Sequence, residues 1–146
     1  MTDLIPSLIQ RYHSRGIFVD TNILLLYVVG SFDRRLIPRF KRTRQFTIED
    51  FELLASLLSR FGKVVTTPNV LTEVSNLSNQ IGEQLLDHIR QPLRRDYFEE
   101  FARQISTLDE QYAPSNSVAA RADFPKLGLT DAGVMHLSNG NYLVLT

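Results

Sequence analysis

Ile17-Phe18-Val19-Asp20-Thr21-Asn22 is the stretch of this sequence that decides the fold. Its three apolar residues lead directly to Asp20, and a second apolar run follows over residues 23–29. A short apolar run bounded by polar residues is typical of a buried strand in a parallel sheet. Open α/β sheets bind their ligands at the carboxyl ends of such strands. The pattern therefore places Asp20 at a candidate site, although it is equally typical of the N-cap of the next helix.

The size and composition of the chain indicate one globular domain over residues 1–146. Its 16 basic and 16 acidic residues cancel, so any attraction to nucleic acid must come from a local patch. The absence of cysteine excludes disulfides and thiolate metal sites, and it fits a reducing compartment. The sequence shows neither a signal peptide nor an apolar run long enough to cross a membrane. We expect a soluble cytoplasmic protein with no membrane partner.

The remaining elements follow from hydrophobic spacing and from residues typical of helix ends. Thr47 and Asp50 are expected to open one helix, Thr67 and Pro68 another, and Gly30 is expected to end the helix after Asp20. The sequence predicts strands over residues 17–20, 63–66 and 142–146, and helices over 3–12, 22–29, 47–61, 67–77, 80–89, 92–108 and 131–137, the last capped by Thr130.

This alternation of strands and helices predicts parallel pairing with right-handed crossovers. Three strands are few for such a sheet. Either a short strand lies between residues 106 and 129, or the sheet is incomplete.

Three acids lie near predicted strand ends: Asp20, Glu73 and Asp131. If they converge, their like charges need a cation to stay ionised together. Ligands that are all oxygen select hard cations such as Mg²⁺ or Mn²⁺, which clamp phosphate oxygens and activate water. Each acid also has a structural interpretation, since Glu73 fits an exposed helix charge and Asp131 fits a partner of the helix dipole.

The contexts of these acids resemble the three acidic motifs of PIN-domain nucleases, in the same order. The matching segments are Phe-Val-Asp-Thr-Asn at 18–22, Pro-Asn-Val-Leu-Thr-Glu-Val at 68–74 and Leu-Gly-Leu-Thr-Asp-Ala at 127–132. Residues 142–146 resemble the strand that leads to a fourth acid of the family. The resemblance implies a three-layer α/β/α fold with a central parallel sheet, and RNA cleavage that depends on Mg²⁺ or Mn²⁺.

The resemblance also assigns roles to residues of this chain. Asp20, Glu73 and Asp131 match the catalytic, metal-binding acids of the family, whereas Asn22 and Thr130 match its supporting polar residues. The sequence given stops at Thr146, before the fourth acid and the last strand of the family. The expectation is therefore a PIN-like domain that is incomplete at its C-terminus.

Two other functions remain open from the sequence. The first is a catalytically impaired module that binds RNA or protein, which the missing fourth acid favours. The second is a phosphatase with Asp20 as nucleophile, although that chemistry usually needs a second acid where this chain has Asn22.

A basic segment, residues 34–44, is the candidate RNA-binding surface. Three phenylalanines, at positions 32, 40 and 46, alternate with its charges and could stack on bases or anchor the segment to the core. Its six basic residues are Arg34, Arg35, Arg39, Lys41, Arg42 and Arg44.

The candidate partners beyond RNA are proteins. Small bacterial members of the family include toxins that an antitoxin neutralises, so the resemblance implies an antitoxin as a candidate partner. An apolar helix face with Leu85, Leu86 and Ile89 could serve a homodimer, with core packing as the alternative.

Overall fold

The computed structural model describes residues 4–84 and 92–146. Seven helices and four strands alternate along these residues, with one short 3₁₀ turn, Arg34–Leu36. In chain order they are α1 (Leu4–Tyr12), β1 (Ile17–Val19), α2 (Thr21–Phe32), α3 (Ile48–Leu58), β2 (Val64–Thr66), α4 (Pro68–Gln84), α5 (Pro92–Thr107), β3 (Asp109–Glu110), α6 (Ser115–Ala119), α7 (Phe124–Ser138) and β4 (Leu143–Leu145).

The four strands form one parallel sheet with the order β3-β2-β1-β4, and the helices flank it in a three-layer α/β/α arrangement. The central strand β1 pairs with β2 on one side and with β4 on the other, with Phe18 opposite Val65 and Val144. Its three residues are fully buried, which explains why the run has no polar residue. The predicted fold class is confirmed.

Strand β3, which the sequence did not locate, is the short strand anticipated between residues 106 and 129. Its two residues, Asp109 and Glu110, pair in parallel with Val65 and Thr66 of β2. Because the two residues of β3 are polar, they form no apolar pattern. The sequence could therefore place the strand only somewhere between residues 106 and 129.

The local signals at helix starts behave as predicted in two cases. Thr47 and Asp50 form a reciprocal capping box at the start of α3. The Thr67 hydroxyl accepts from the Val70 N–H at 3.2 Å, directly before Pro68.

Two helix boundaries among residues 4–84 were predicted wrongly. A separate helix starting at Gln80 is wrong, because α4 continues through Gln84. No Gly or Pro lies between Leu77 and Gln80 to interrupt it. The rest of that prediction, with the apolar face at Leu85, Leu86 and Ile89, lies outside the described residues.

Gly30 does not end α2, as the sequence suggested, but lies buried inside it. A Cβ at this position would lie 2.3 Å from Cδ2 of Phe51. The glycine therefore permits close approach of α3 to α2, and it is not a stop signal. The helix instead ends at Phe32, before Asp33.

One hydrophobic core extends through the molecule and includes residues of every helical layer and the sheet. A hydrogen bond between the Ser78 and Tyr97 hydroxyls, 2.7 Å long, joins α4 to α5 inside it. Within the described residues, no helix is both long and apolar enough to cross a membrane.

We expect Gly30→Ala to destabilise the protein by about 1–3 kcal/mol, because the new methyl group overpacks against Phe51. This outcome opposes the intrinsic preference of helices for alanine, which is about 1 kcal/mol. Gly133→Ala in α7 is the matched control, since no atom outside its own stretch of helix lies within 4 Å of its Cβ position, and it should stabilise the protein. Urea unfolding of both variants measures the two effects. Equal stabilisation by both would show that Gly30 is not a packing residue.

Candidate active site

Asp20 directly follows β1 and caps α2. Its Oδ1 accepts from the Ile23 N–H at 3.1 Å, and its own N–H donates to the Leu145 carbonyl of β4 at 3.0 Å. The capping interpretation is therefore correct, and it accounts for one carboxylate oxygen. The cap also fixes this side chain at the carboxyl edge of the sheet, between the central strand and its neighbour.

Glu73 connects the three acidic segments. Its Oε2 accepts from the Thr21 hydroxyl at 2.8 Å, and its Oε1 accepts from the Thr130 hydroxyl at 2.6 Å. These charge-assisted hydrogen bonds join α4 to the first turn of α2 and to α7. The three segments, far apart in sequence, therefore meet at one carboxylate.

Asp131 lies next to Thr130 and acts electrostatically on Asp20. Burial raises the pKa of the Asp20 carboxyl above its usual 3.8, the negative charge of Asp131 raises it further, and the Ile23 N–H partly offsets both effects. The charges of Asp20 and Asp131 thus interact at this edge, whereas Glu73 is held by hydroxyl groups.

The prediction that Thr130 caps the last helix is wrong. Helix α7 begins earlier, at Phe124, and breaks at Gly128, whose φ of 78° and ψ of 176° are not helical. Thr130 lies two residues after this break, and its hydroxyl donates to Glu73. A glycine is suited to this break because other residues rarely adopt a positive φ.

The two supporting polar residues differ from the expectation in one respect. Thr130 contacts Glu73, but the hydroxyl on the opposite side of that carboxylate belongs to Thr21, which the sequence argument did not select. The side chain of Asn22 is exposed, and its backbone N–H faces Asp20. Thr130 was selected by its match to the family motif. The position of a hydroxyl residue directly beside an acid is a signal that would have indicated Thr21 as well.

The donor set suits one hard divalent cation bound by two carboxylates. Within the described residues, no group of three or more His, Asp or Glu side chains is arranged to hold a metal ion. Mg²⁺ often binds through only one or two carboxylates and keeps water molecules as its other ligands. Asp20 and Asp131 fit this mode, because their mutual repulsion is the kind that a cation relieves. Coordination by all three acids stays a prediction.

A groove of about 190 Å³ is lined in part by α4 and α7, the helices that carry Glu73 and Asp131. It lies where β2 and β3 end, and its walls include the first turn of α4 and the part of α7 after Gly128. Asn69, Gln111, Tyr112 and Leu129 are among its lining residues. Ligand sites of open α/β sheets occur at this edge, so the groove and the acids belong to one surface.

The basic segment lies farther from the acids than its position in the sequence suggested. It follows α2, whose twelve residues rise about 18 Å from the Asp20 end. The Arg42 Nε donates to the Gln80 side chain at 2.9 Å, about 10 Å along α4 from Glu73. An RNA strand would therefore have to extend along α4 to contact both.

The phenylalanines among these charges anchor the segment. Phe40 is fully buried, and Phe32 and Phe46 pack against the core. Stacking of a base on Phe40 is therefore excluded, and the contacts of all three rings with the core confirm the anchoring alternative. All six basic side chains are exposed. Arg34 pairs with Glu52 at 2.8 Å and Arg35 pairs with Asp33 at 2.9 Å, whereas among the described residues no ion pair includes Arg39, Lys41 or Arg44.

The raised pKa of Asp20 has a consequence for stability. Because the folded protein holds this proton more tightly than the unfolded chain, stability should fall as pH rises from about 3.8 through the folded-state pKa. Asp20→Asn keeps an N-cap acceptor and removes the charge. In EDTA it should unfold at a higher temperature than wild type at pH 7, and this difference should disappear below pH 3.8.

Asp33→Asn is a control of opposite sign, because the Arg35 side chain lowers the pKa of Asp33. This variant should lose stability at neutral pH relative to wild type. Thermal unfolding across pH 3–8 measures both variants. A pH-independent difference between wild type and Asp20→Asn would contradict the raised pKa.

No protein-family model matches the chain, and no curated protein or solved structure is significantly similar to it. The interpretation of the site therefore depends on its own residues and their geometry.

Proposed function

We propose that the protein is a ribonuclease that depends on Mg²⁺ or Mn²⁺ and hydrolyses RNA phosphodiester bonds at the carboxyl edge of the sheet. The observation that carries the proposal is the double hydrogen bond of Glu73 to Thr21 and Thr130. These three residues come from the three segments that resemble the acidic motifs of PIN-domain nucleases. Three unrelated surface positions would have no reason to meet at one carboxylate.

In this proposal Asp20 and Asp131 hold the divalent ion. When bound, the ion neutralises charge on the phosphate and lowers the pKa of an attacking water. The Oδ1 of Asp20 accepts from the Ile23 N–H, so the second oxygen of this carboxylate would be the one available to the ion. Partial burial of Asp20 strengthens its electrostatic interactions relative to those of a fully solvated carboxylate.

Glu73 is a positioning residue in this arrangement. Its two carboxylate oxygens accept from hydroxyls on α2 and α7, and those hydroxyls belong to residues next to Asp20 and Asp131. It therefore sets the distance between the two acids. Groups that orient metal ligands in this way typically contribute a factor of about 10–100 in metal affinity or activity.

One face of α4 lies along the proposed path of the substrate. Asn69, Glu73 and Gln80 are four and seven residues apart, so they fall within about 40° of one another around the helix. Along this line lie the groove, the acids and the contact with the basic segment. Extended single-stranded RNA fits this linear arrangement better than a compact ligand does.

We expect Mn²⁺ to raise the unfolding temperature of the wild type, because an ion that binds only the folded state stabilises it. At an ion concentration of about 100 times Kd the gain is about 2.7 kcal/mol. Asp20→Asn and Asp131→Asn should lose this gain, and both should lose cleavage of a labelled single-stranded RNA. Calorimetric scans with Mn²⁺ or EDTA, together with a cleavage assay, measure these effects.

Asp96→Asn on α5 is the matched control, since Asp96 is exposed and belongs to none of the acidic segments. It should keep both the Mn²⁺ effect and the cleavage. Hydrolysis of phosphate monoesters alone would favour a phosphatase instead. RNA binding without turnover, in the presence of Mn²⁺, would favour the binding module.

We expect reversal of charge at Arg39, Lys41 and Arg42 to weaken RNA binding and to flatten its salt dependence. Three lost phosphate contacts should reduce the slope of log K against log salt by about 2. The same triple reversal at Arg94, Arg95 and Arg103 is the control, because these residues alternate with acids on α5 and two of them form ion pairs there. Fluorescence anisotropy in EDTA at several salt concentrations measures the slopes. Identical slopes for both variants would show that the basic segment does not contact the RNA.

A further inference from the structure

The groove next to the acids has an uncharged lining. None of its lining residues is acidic or basic, so a phosphate would find no counter-charge there. The Asn69 and Gln111 side chains supply amide groups that both donate and accept hydrogen bonds. Gln111 uses one N–H for the Asp109 carboxylate at 3.0 Å, which leaves its oxygen and its other N–H. The lining therefore fits a neutral ligand with a polar edge.

The volume of the groove limits the size of this ligand. At about 190 Å³ it is smaller than the pockets that hold drug-sized molecules, which measure roughly 300–1,000 Å³. It suits one heterocyclic ring system. A peptide helix or a complete dinucleotide would not fit within it.

Gly133 keeps the groove open. It lies inside α7, where glycine is unfavourable, and no heavy atom lies within 4 Å of the position that its Cβ would occupy. This contrasts with Gly30, where packing against Phe51 requires the glycine. At position 133 the space belongs to the groove, and a methyl group there would occupy it without contact to a neighbouring element.

The rim carries an exposed aromatic ring. Tyr112 is 70% exposed and Leu129 is 39% exposed, and both line the groove. Unpaired bases stack on exposed aromatic side chains of this kind.

The groove lies close to the acids. Asn69 and Glu73 are four residues apart on one face of α4, a rise of about 6 Å. On the opposite wall Leu129 directly precedes Thr130, whose hydroxyl donates to Glu73. A ligand in the groove would therefore extend its remaining atoms toward Asp20 and Asp131.

We propose that this groove binds one unpaired base of the RNA strand. The base stacks on Tyr112, and the Asn69 and Gln111 amides contact its polar edge, while the attached phosphate reaches the two acids. The inference rests on the proposed ribonuclease function and adds to it that the strand must be single at this position and must carry a base there.

Binding of fluorescein-labelled hexaribonucleotides in EDTA tests this proposal without cleavage. The probes are hexamers of adenine, cytosine and uracil, a mixed hexamer that contains guanine, and an abasic hexamer with the same charge. At least one base-bearing probe should bind the wild type about tenfold more tightly than the abasic probe. Gly133→Leu should remove this preference and retain the salt-dependent binding of all probes. A preference that survives Gly133→Leu, or an equal affinity for all five probes, overturns the proposal.

Further variants keep the test valid if Gly133→Leu does not fold. Gly133→Ala fills only part of the groove and should reduce the preference. Tyr112→Ala should weaken base-dependent binding, whereas Tyr112→Phe keeps the ring and should preserve it. Ala102→Leu, an equivalent enlargement at an exposed position of α5, should change nothing. If Tyr112→Ala and Gly133→Ala both leave the preference intact, the groove is not the base site.

The two proposals fail in different ways. Base-dependent binding that Gly133→Leu abolishes, without cleavage that depends on Asp20, overturns the ribonuclease and supports the base site. Cleavage that depends on Asp20 but is unaffected by Gly133→Leu and by the base overturns the base site and supports the ribonuclease.

Discussion

The parallel pairing of β1 with β2 and β4 is the constraint on which the rest of this structure depends. β1 is only three residues long and fully buried, so its backbone groups must be satisfied by neighbouring strands on both sides. Parallel pairing brings the carboxyl ends of those strands to one edge. Asp20, after β1, and the start of α4, after β2, therefore lie at that edge, and the contact of Thr130 with Glu73 joins α7 to them. The candidate active site is a direct consequence of how a short apolar strand is buried.

Much of the architecture could be predicted because the signals are local. The apolar run at residues 17–19, the capping box at Thr47 and the Thr67-Pro68 start of α4 each depend on neighbours in sequence. The predictions fail where contact with a residue distant in sequence determines the local structure. Gly30 has the sequence signature of a helix end, but the ring of Phe51 requires a glycine inside α2. The two-residue strand β3 is formed by pairing with β2 and by no property of its own.

The site was predictable to a similar degree. Motif order indicated Asp20, Glu73 and Asp131, and the structure brings their segments together, but their metal coordination stays a prediction. The sequence could not show that the three acids make different kinds of interaction. Asp20 and Asp131 interact through charge, whereas Glu73 is occupied by two hydroxyls. This difference between the acids depends on the break in α7 at Gly128 and on the packing of α4 between α2 and α7. The groove was also inaccessible to sequence reasoning, since its lining comes from several elements.

The polar face of α4 also holds its residues at fixed distances from one another. A packed helix does not change its rise when a ligand binds, so the distance from Asn69 to Gln80 stays at about 16 Å. A ligand that contacts both ends must have at least this length. For the proposed ribonuclease, a mononucleotide would be long enough to span the groove and the acids but too short to contact the basic segment as well. In the proposed function, the length of one helix therefore sets a minimum length for an RNA that contacts both ends, independent of the sequence that the RNA carries.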